Sequence, residues 1–588
     1  MAEIGDKPQA SSDDQSFAMP SLGDVQHWTG LLGQAQQMMM EHVAETMASA
    51  PAELKLPPLS LSMFADPEKL ADNQSELMKS SLGLFGKMIE GQPGANAAQD
   101  RRFKAAQWRD TPIFGIIADA YLLMCDAWLK GIDAIEGLEP RQREQLKFAM
   151  RTFSDAMSPS NFPLTNPLVL ERIVETRGEN LLRGLEHMLA DLGKGQLTHS
   201  NTEAFEIGVN IAATPGKVIH ETPLYQLIHY TPTTDKLLET PLLIFPPWIN
   251  RFYILDLNPR NSFIRWAVDQ GLSVFVVSWK SADETMADVT MDDYVVRGQV
   301  DAIDTVRKLL GVEQVHTIGY CVAGTALSMT LAYLAARGEA SKVRSATFFT
   351  AQVDFAEAGD LNLFVDDEQL KLIDTLTQGS GVLDGRYMAL TFNLLRGRDL
   401  IWNYVVQNYL LGEDYPAFDL LHWNGDTTNL PAKWHRAYLE KFYRDNLLVQ
   451  PDAISVDGVP IDLRRIETPA YVQAGREDHI APCRSVWKLT EQLSGPVRFV
   501  LAGSGHIAGV VNPPDANKYQ YWTSDTPAPD LSAFDAMAVE TKGSWWPDWR
   551  RWIESLGADV VPVADARIPG QGALPAIEDA PGRYVRTR

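Results

Sequence analysis

Cysteine is scarce in this chain: Cys125, Cys321 and Cys483 are the only three among 588 residues. So few thiols cannot build a disulfide framework, which points to a reducing compartment. The tight Cys/His spacings that hold zinc are missing too. Positive charge is in short supply, with 52 Lys and Arg against 76 Asp and Glu, a formal balance of −24. That deficit disfavours nonspecific attraction to nucleic acid or to an anionic membrane, while leaving room for a local basic patch that receives a phosphorylated ligand. No apolar run reaches the ~18 residues of a membrane span, because FGIIADAYLLM (114–124) is short and contains Asp119. The opening MAEIGDKPQASSDDQS is polar and acidic and lacks the features of a secretion signal. The expectation is a soluble, cytoplasmic protein without a transmembrane segment or a nucleic-acid partner.

What is present is ordinary globular material, 45% hydrophobic and 22% charged. A chain of this length can bury a large core without staples. Residues 1–19 read as a disordered tail. Residues 20–199 read as a helical N-terminal domain, with apolar residues at three- and four-residue spacing in LGDVQHWTGLLGQAQQMMMEHVAETM and FGIIADAYLLMCDAWLKGIDAI. Met38, Met39 and Met40 fit core packing, or else an adaptable apolar face. The prolines of SPSNFPLTNP (158–167) interrupt the helical pattern.

From residue 200 to 588 the pattern changes. Short runs rich in Val, Ile and Phe alternate with helical stretches, at 242–245, 273–279, 315–320, 346–353, 470–475 and 497–503. Continuous apolar strands separated by helices imply an α/β fold with a mostly parallel sheet covered on both faces. Residues 291–311 read as a crossover helix ending at Gly311. Between about 353 and 433 the alternation lapses, and so long an insert should be a folded cap over the sheet's edge.

The sharpest local signal is VHTIGYCVAGTALSMTLAYLAA, where a strand ends at a glycine, Cys321 follows, and a helix of small residues begins. This is the context of a nucleophile elbow. The helix N-terminus favours a thiolate, and the Val322 amide points toward an oxyanion. The usual pattern has glycine two residues after the nucleophile, whereas here Ala323 precedes Gly324. A thiol nucleophile needs a base and an orienting group. The strand at 470–475 is followed by Asp478, and the strand at 497–503 by His506 in a glycine-flanked loop. Nucleophile, acid, histidine is the chain order of an α/β-hydrolase fold. Each candidate follows a strand, where open α/β sheets place their ligands. Trp248 or Ile249, in the loop after 242–245, is a candidate for the second oxyanion amide. His316, inside a strand, reads as a core histidine; Cys483 and Cys125 read as structural; His479 is a weaker candidate beside Asp478. The tryptophan-dense GSWWPDWRRWI (543–553) should pack against the domain.

GYCVAGT, PPWINRFYILDL, SPSNFPLTNP, FDLLHWNGDTTNLP, GREDHIAP, GSGHIAGVVNPP and the WWPDW ending together resemble the polyhydroxyalkanoate synthases, most closely class I. The resemblance runs from about residue 100 to 570, although the family's elbow usually has glycine where Ala323 stands. It implies an acyltransferase that polymerises (R)-3-hydroxyacyl-CoA, short-chain and so 3-hydroxybutyryl-CoA, into polyester with release of CoA. It also implies an acyl-cysteine intermediate, with Cys321, Asp478 and His506 as the catalytic residues. By the same resemblance the cap closes over the site, with Trp423 in its hallmark segment. The protein would work as a homodimer at the surface of polyester granules, with granule-associated proteins as further partners of the N-terminal region. No cofactor is expected, since CoA enters as part of the substrate. The rival readings are a thioesterase or polyester depolymerase of the same fold, and a noncatalytic granule-coat protein.

Overall fold

The computed structural model describes residues 75, 76, 78–80, 83 and 99–587. The tail expected over 1–19 and the residues Met38, Met39 and Met40 lie outside them.

The chain divides into two units. The smaller takes in residues up to 137 together with 153–197 and 402–414; the larger comprises 138–152, 198–401 and 415–588. In the smaller unit the apolar run seen at 114–124 is the middle of one helix, Pro112–Asp133. Its 22 residues have a mean hydropathy of 1.5 over an 18-residue window, long and apolar enough to cross a membrane by length and composition alone. The sequence pattern stopped short there because Asp119, Asp126 and Lys130 interrupt it, yet all three are tolerated. Asp119 is buried within its unit, and Lys130 pairs with Asp126 at 2.9 Å. Ala118 and Tyr121 of this helix pack on Phe103 and Trp108, and Cys125 lies against the same cluster. The proline-rich break contains only a single 3-10 turn, Pro159–Asn161. Residues 402–414, drawn from within the 353–433 stretch, pack by Val405–Leu410 onto Glu179–Lys194, where Tyr409 Oη donates to Asp191 at 2.7 Å.

The larger unit is built on an eleven-stranded sheet. Its strands in chain order are β1 (Gly216–Glu221), β2 (Tyr225–Tyr230), β3 (Leu242–Phe245), β4 (Val274–Trp279), β5 (Val315–Tyr320), β6 (Val343–Phe349), β7 (Ala470–Gly475), β8 (Val497–Ala502), β9 (Gln520–Thr523), β10 (Val539–Lys542) and β11 (Glu578–Asp579). They lie side by side in the order β10-β9-β8-β7-β6-β5-β3-β4-β2-β1-β11. The six expected strands, β3 to β8, form the centre and run parallel. Antiparallel pairs extend both edges. The central strands are apolar on both faces because each face is covered. Leu243, Phe245, Phe275 and Val277 join one core, and Leu242, Ile244, Val274 and Val276 join the other.

Strand boundaries moved by one residue at 273 and 503, and by more in one strand. The strand expected at 346–353 is β6, which begins at Val343 and stops at Phe349, because Thr350 takes a positive φ of 43°. The edge strands β1 and β2 gave no clear apolar run, since they carry Lys217, His220, Gln226 and His229. The crossover helix expected at 291–311 is continuous through Met291–Asp293, Tyr294–Val300 and Asp301–Leu310, ending at Gly311 with φ 64°. The stretch after β6 folds into helices, among them Asp367–Thr377, Gly385–Leu395 and Asp419–Gly425.

Candidate active site

Parallel strands end on one side of a sheet, and the loops leaving β3, β5, β7 and β8 gather there. Cys321 follows β5 directly and has φ 53° and ψ −125°, a conformation that a non-glycine residue holds only under constraint. The constraint comes from both sides. Its amide donates to the Phe349 carbonyl at 2.9 Å, and the helix Val322–Ala336 starts at the next residue. The tight turn brings that helix onto the strand. A Cβ on Gly319 would meet Gly324 Cα at 2.6 Å, and one on Gly324 would meet Ala351 Cβ at 2.4 Å. The close approach therefore falls on 324 rather than on 323. Ala323 is fully buried inside the helix, and its carbonyl accepts from Gln299 at 2.9 Å. The departure from the usual elbow costs the turn nothing.

Asp478 and His506 meet at the same end. His506 Nδ1 lies 2.7 Å from Asp478 Oδ2, and both residues are buried. The other carboxylate oxygen, Oδ1, accepts the amides of Ile480 and Ala481 at 2.8 and 2.9 Å. Gly475 makes the meeting possible: a Cβ there would strike Ser504 O at 2.8 Å, so the histidine loop lies directly on the end of β7. With Nδ1 engaged, Nε2 is the nitrogen left for Cys321, which lies close enough to act electrostatically on the ring. Burial pulls the imidazole down, but the charges of Asp478 and Cys321 outweigh it and raise His506 to about 10. The three residues singled out by spacing are thus one contiguous group.

The oxyanion candidates separate. Ile249 and Val322 line the same cavity as Cys321. Val322 opens its helix, so its amide has no partner within it. Trp248 is instead 2% exposed and stacked on Tyr294 with ring centroids 4.0 Å apart, and its carbonyl accepts from Thr428 at 2.6 Å. The Trp248 side chain packs and the Ile249 side chain lines the cavity, while the backbone amides of both stay candidates for the oxyanion.

The remaining candidates are structural. His316 sits in β5 with Nδ1 2.7 Å from Ser345 Oγ, and burial lowers it to about 3, leaving it neutral. Cys483 begins the helix Cys483–Gln492, and burial raises its thiol. His479 is lowered to about 4, chiefly by burial. The tryptophans of 543–553 do more than fill the core. Trp545 and Trp546 donate to the Gly509 and Val510 carbonyls at 2.7 and 2.9 Å, bracing the loop that carries His506.

Sequence reasoning missed the polar wall around the sulfur. A cavity of about 380 Å³ opens on Cys321, mostly apolar, with Leu361, Phe364, Leu372 and Leu383 among its lining. Gln352, Tyr438 and Tyr443 lie on the same wall. Tyr320, adjacent to the nucleophile, donates its hydroxyl to the His506 carbonyl at 3.0 Å. Position next to Cys321 was the one signal that could have singled out Tyr320; Gln352 lies just past a strand, and Tyr438 and Tyr443 just after the insert, without a motif. Among the described residues no cluster of three His, Cys, Asp or Glu could hold a metal ion.

Comparison with known proteins identifies the family. Residues 99–267 match the family model described as the poly-beta-hydroxybutyrate polymerase (PhaC) N-terminus, and residues 258–513 match that of the alpha/beta hydrolase fold. The chain is 43% identical to the poly(3-hydroxyalkanoate) polymerase subunit PhaC of Cupriavidus necator, over 89% of this chain and 89% of that protein. It is 44% identical to the poly(3-hydroxyalkanoate) polymerase of Methylorubrum extorquens, over 89% and 88%. The PhaC subunit of Rhizobium meliloti is 43% identical over 89% and 87%. This chain belongs to the polyhydroxyalkanoate polymerase family. It has the α/β-hydrolase fold and is a polymerising acyltransferase that makes polyhydroxyalkanoate. The polymerase's substrate carries the acyl group, and its growing polyester is the second partner the site must admit.

Proposed function

We propose that this polymerase works through an acyl-cysteine on Cys321, as a class I enzyme taking short-chain (R)-3-hydroxyacyl-CoA, with 3-hydroxybutyryl-CoA as the principal substrate. The observation that carries the reading is the buried His506–Asp478 pair, 2.7 Å apart, set beside Cys321, which lines the cavity. The short-chain assignment is supported by the name of the family model matched at 99–267, poly-beta-hydroxybutyrate polymerase.

In the first half-reaction the thiol proton resides on His506, and Cys321 Sγ attacks the thioester carbonyl. The carbonyl's electron pair moves onto oxygen, which the amides of Val322 and Ile249 receive. The tetrahedral adduct collapses with cleavage of the C–S bond to CoA. His506 returns its proton to the departing thiolate, leaving the acyl group on Cys321. In the second half-reaction His506 takes the proton of a hydroxyl, from the chain end or from the next 3-hydroxyacyl group. The alkoxide oxygen attacks the acyl-cysteine carbonyl, the C–S bond breaks, and an ester forms. Asp478, both of whose oxygens are engaged, orients the ring and stabilises its protonated form. An apolar cavity around the sulfur favours an alcohol over bulk water as acceptor.

The same reading has the enzyme acting as a cytoplasmic homodimer at the polyester granule surface, which sedimentation velocity and fluorescence imaging test. The catalytic test is direct. Purified enzyme is mixed with 3-hydroxybutyryl-CoA, and CoA release, polymer mass and acid-quenched adducts are followed. An acyl mass on the peptide containing Cys321, with polymer accumulating, is the expected result. Free 3-hydroxybutyrate in place of polymer, or an unmodified Cys321 during turnover, overturns it.

A further inference from the structure

Of the polar groups on the cavity wall, Tyr443 is held by a chain of contacts whose direction can be worked out. Ser485 is fully buried, and its Oγ donates to the Asp354 carbonyl. The same Oγ lies 2.9 Å from Gln352 Oε1, and Gln352 Nε2 lies 3.2 Å from Tyr443 Oη. A serine hydroxyl has one proton. With that proton committed to Asp354, Ser485 can meet the end of the Gln352 side chain only as an acceptor. The amide must then present NH2 to Ser485 and its oxygen to Tyr443, a half-turn about its last bond. Tyr443 in turn must donate to Gln352, and its lone pairs are left for other donors. Gln352 cannot swing away to relax this. Its own carbonyl accepts from Thr325 Oγ1 at 2.7 Å, on the helix that begins at the nucleophile, and its side chain is buried.

We infer that Tyr443 is a fixed hydrogen-bond acceptor on the wall of the acyl cavity, set in that sense by Ser485 and Gln352, and that it receives the 3-hydroxyl of the acyl group bound at Cys321. Gln352, Tyr443 and Cys321 line one cavity, which is otherwise largely apolar. The hydroxyl of a 3-hydroxyacyl group has few places to be satisfied there, and leaving it bare is costly. Ser485, Gln352 and Tyr443 thus form a selectivity device: they favour hydroxylated acyl groups over plain fatty acyl groups of equal length. Tyr438, whose ring lies 5.5 Å from that of Tyr443, closes the other side of the phenol. The inference rests on the acyl-cysteine reading.

The test compares single-turnover CoA release from 3-hydroxybutyryl-CoA and from butyryl-CoA, which lacks only the hydroxyl. Tyr443→Phe should slow acylation by the hydroxylated substrate about three- to tenfold and leave butyryl transfer within about twofold. Gln352→Leu should erode the preference to a similar degree with the phenol still present, and Ser485→Ala should do so more weakly. Melting curves on all three check folding, and the ratio within each variant is insensitive to the fraction folded. An unchanged ratio in Tyr443→Phe, or equal slowing of both substrates, overturns the inference while an adduct on Cys321 leaves the acyl-cysteine reading intact. Turnover without any adduct on Cys321 overturns both.

Discussion

Tyr320 and His506 are joined by a hydrogen bond of 3.0 Å from the phenol to the histidine's backbone carbonyl, and both residues are buried. The residue just before Cys321 therefore holds the loop that bears His506. The registration of sulfur against imidazole is set by this contact from within the sheet, and by Trp545 and Trp546 from outside it.

Removing the Tyr320 hydroxyl should loosen that registration without touching the reacting atoms. For Tyr320→Phe we expect kcat to fall about three- to tenfold, the rate equivalent of one hydrogen bond, with KM within about twofold. Steady-state CoA release measures the split. A rise in KM at unchanged kcat would assign the tyrosine to substrate binding instead.

Asp478→Asn keeps the shape of the site and removes the charge that stabilises protonated His506. By analogy with other triads, CoA release should drop about 10²- to 10⁴-fold. Retention of near-normal turnover would mean that another group orients the ring.

The raised pKa of His506 has a signed consequence for stability. Its folded value, about 10, lies above the ordinary 6.5. The folded state therefore binds the proton more tightly, and the stabilisation is fully present below about pH 6.5 and lost as pH rises toward 10. The melting temperature of the wild type minus that of His506→Gln should shrink steadily between pH 6.5 and pH 10. A difference that stays flat over that range would show His506 to be neutral in the folded state.

Elbow positions 323 and 324 are not equivalent. Gly324→Ala pushes a methyl group into Ala351 Cβ at 2.4 Å and toward Gly319 O at 2.8 Å. It should destabilise the fold by roughly 1–3 kcal/mol and reduce acylation. Ala323→Gly restores the commoner elbow sequence, yet should cost only about 1 kcal/mol through lost helix propensity, with acylation intact. Chemical denaturation and single-turnover acylation on the pair distinguish the two positions.

The parallel centre of the sheet was legible because apolar strands buried on both faces leave a signal that survives without neighbours. Leu242–Phe245, Val315–Tyr320 and Ala470–Gly475 coincide with the runs read from sequence. The order Cys321, Asp478, His506 was legible for a related reason: parallel strands end on one side, so residues just past them must converge. The edge strands were not, because they mix polar with apolar residues, and Lys217 and Gln226 find their partners Asp579 and Glu578 far along the chain. Nor could spacing tell that the Trp248 side chain would pack on Tyr294 while that of Ile249 lines the cavity, since neighbouring residues in a loop point in directions that only packing decides.

The sequence by itself determined the parallel centre of the sheet, the strained turn at Cys321 and the convergence of Cys321, Asp478 and His506, all written in local pattern and chain order. The tertiary structure alone decided what surrounds the sulfur: the tyrosine beneath the histidine, the tryptophans bracing its loop, and Gln352 facing Tyr443 from 91 residues away. Such contacts are made between segments that share no local periodicity, so they come into being only when the chain closes on itself.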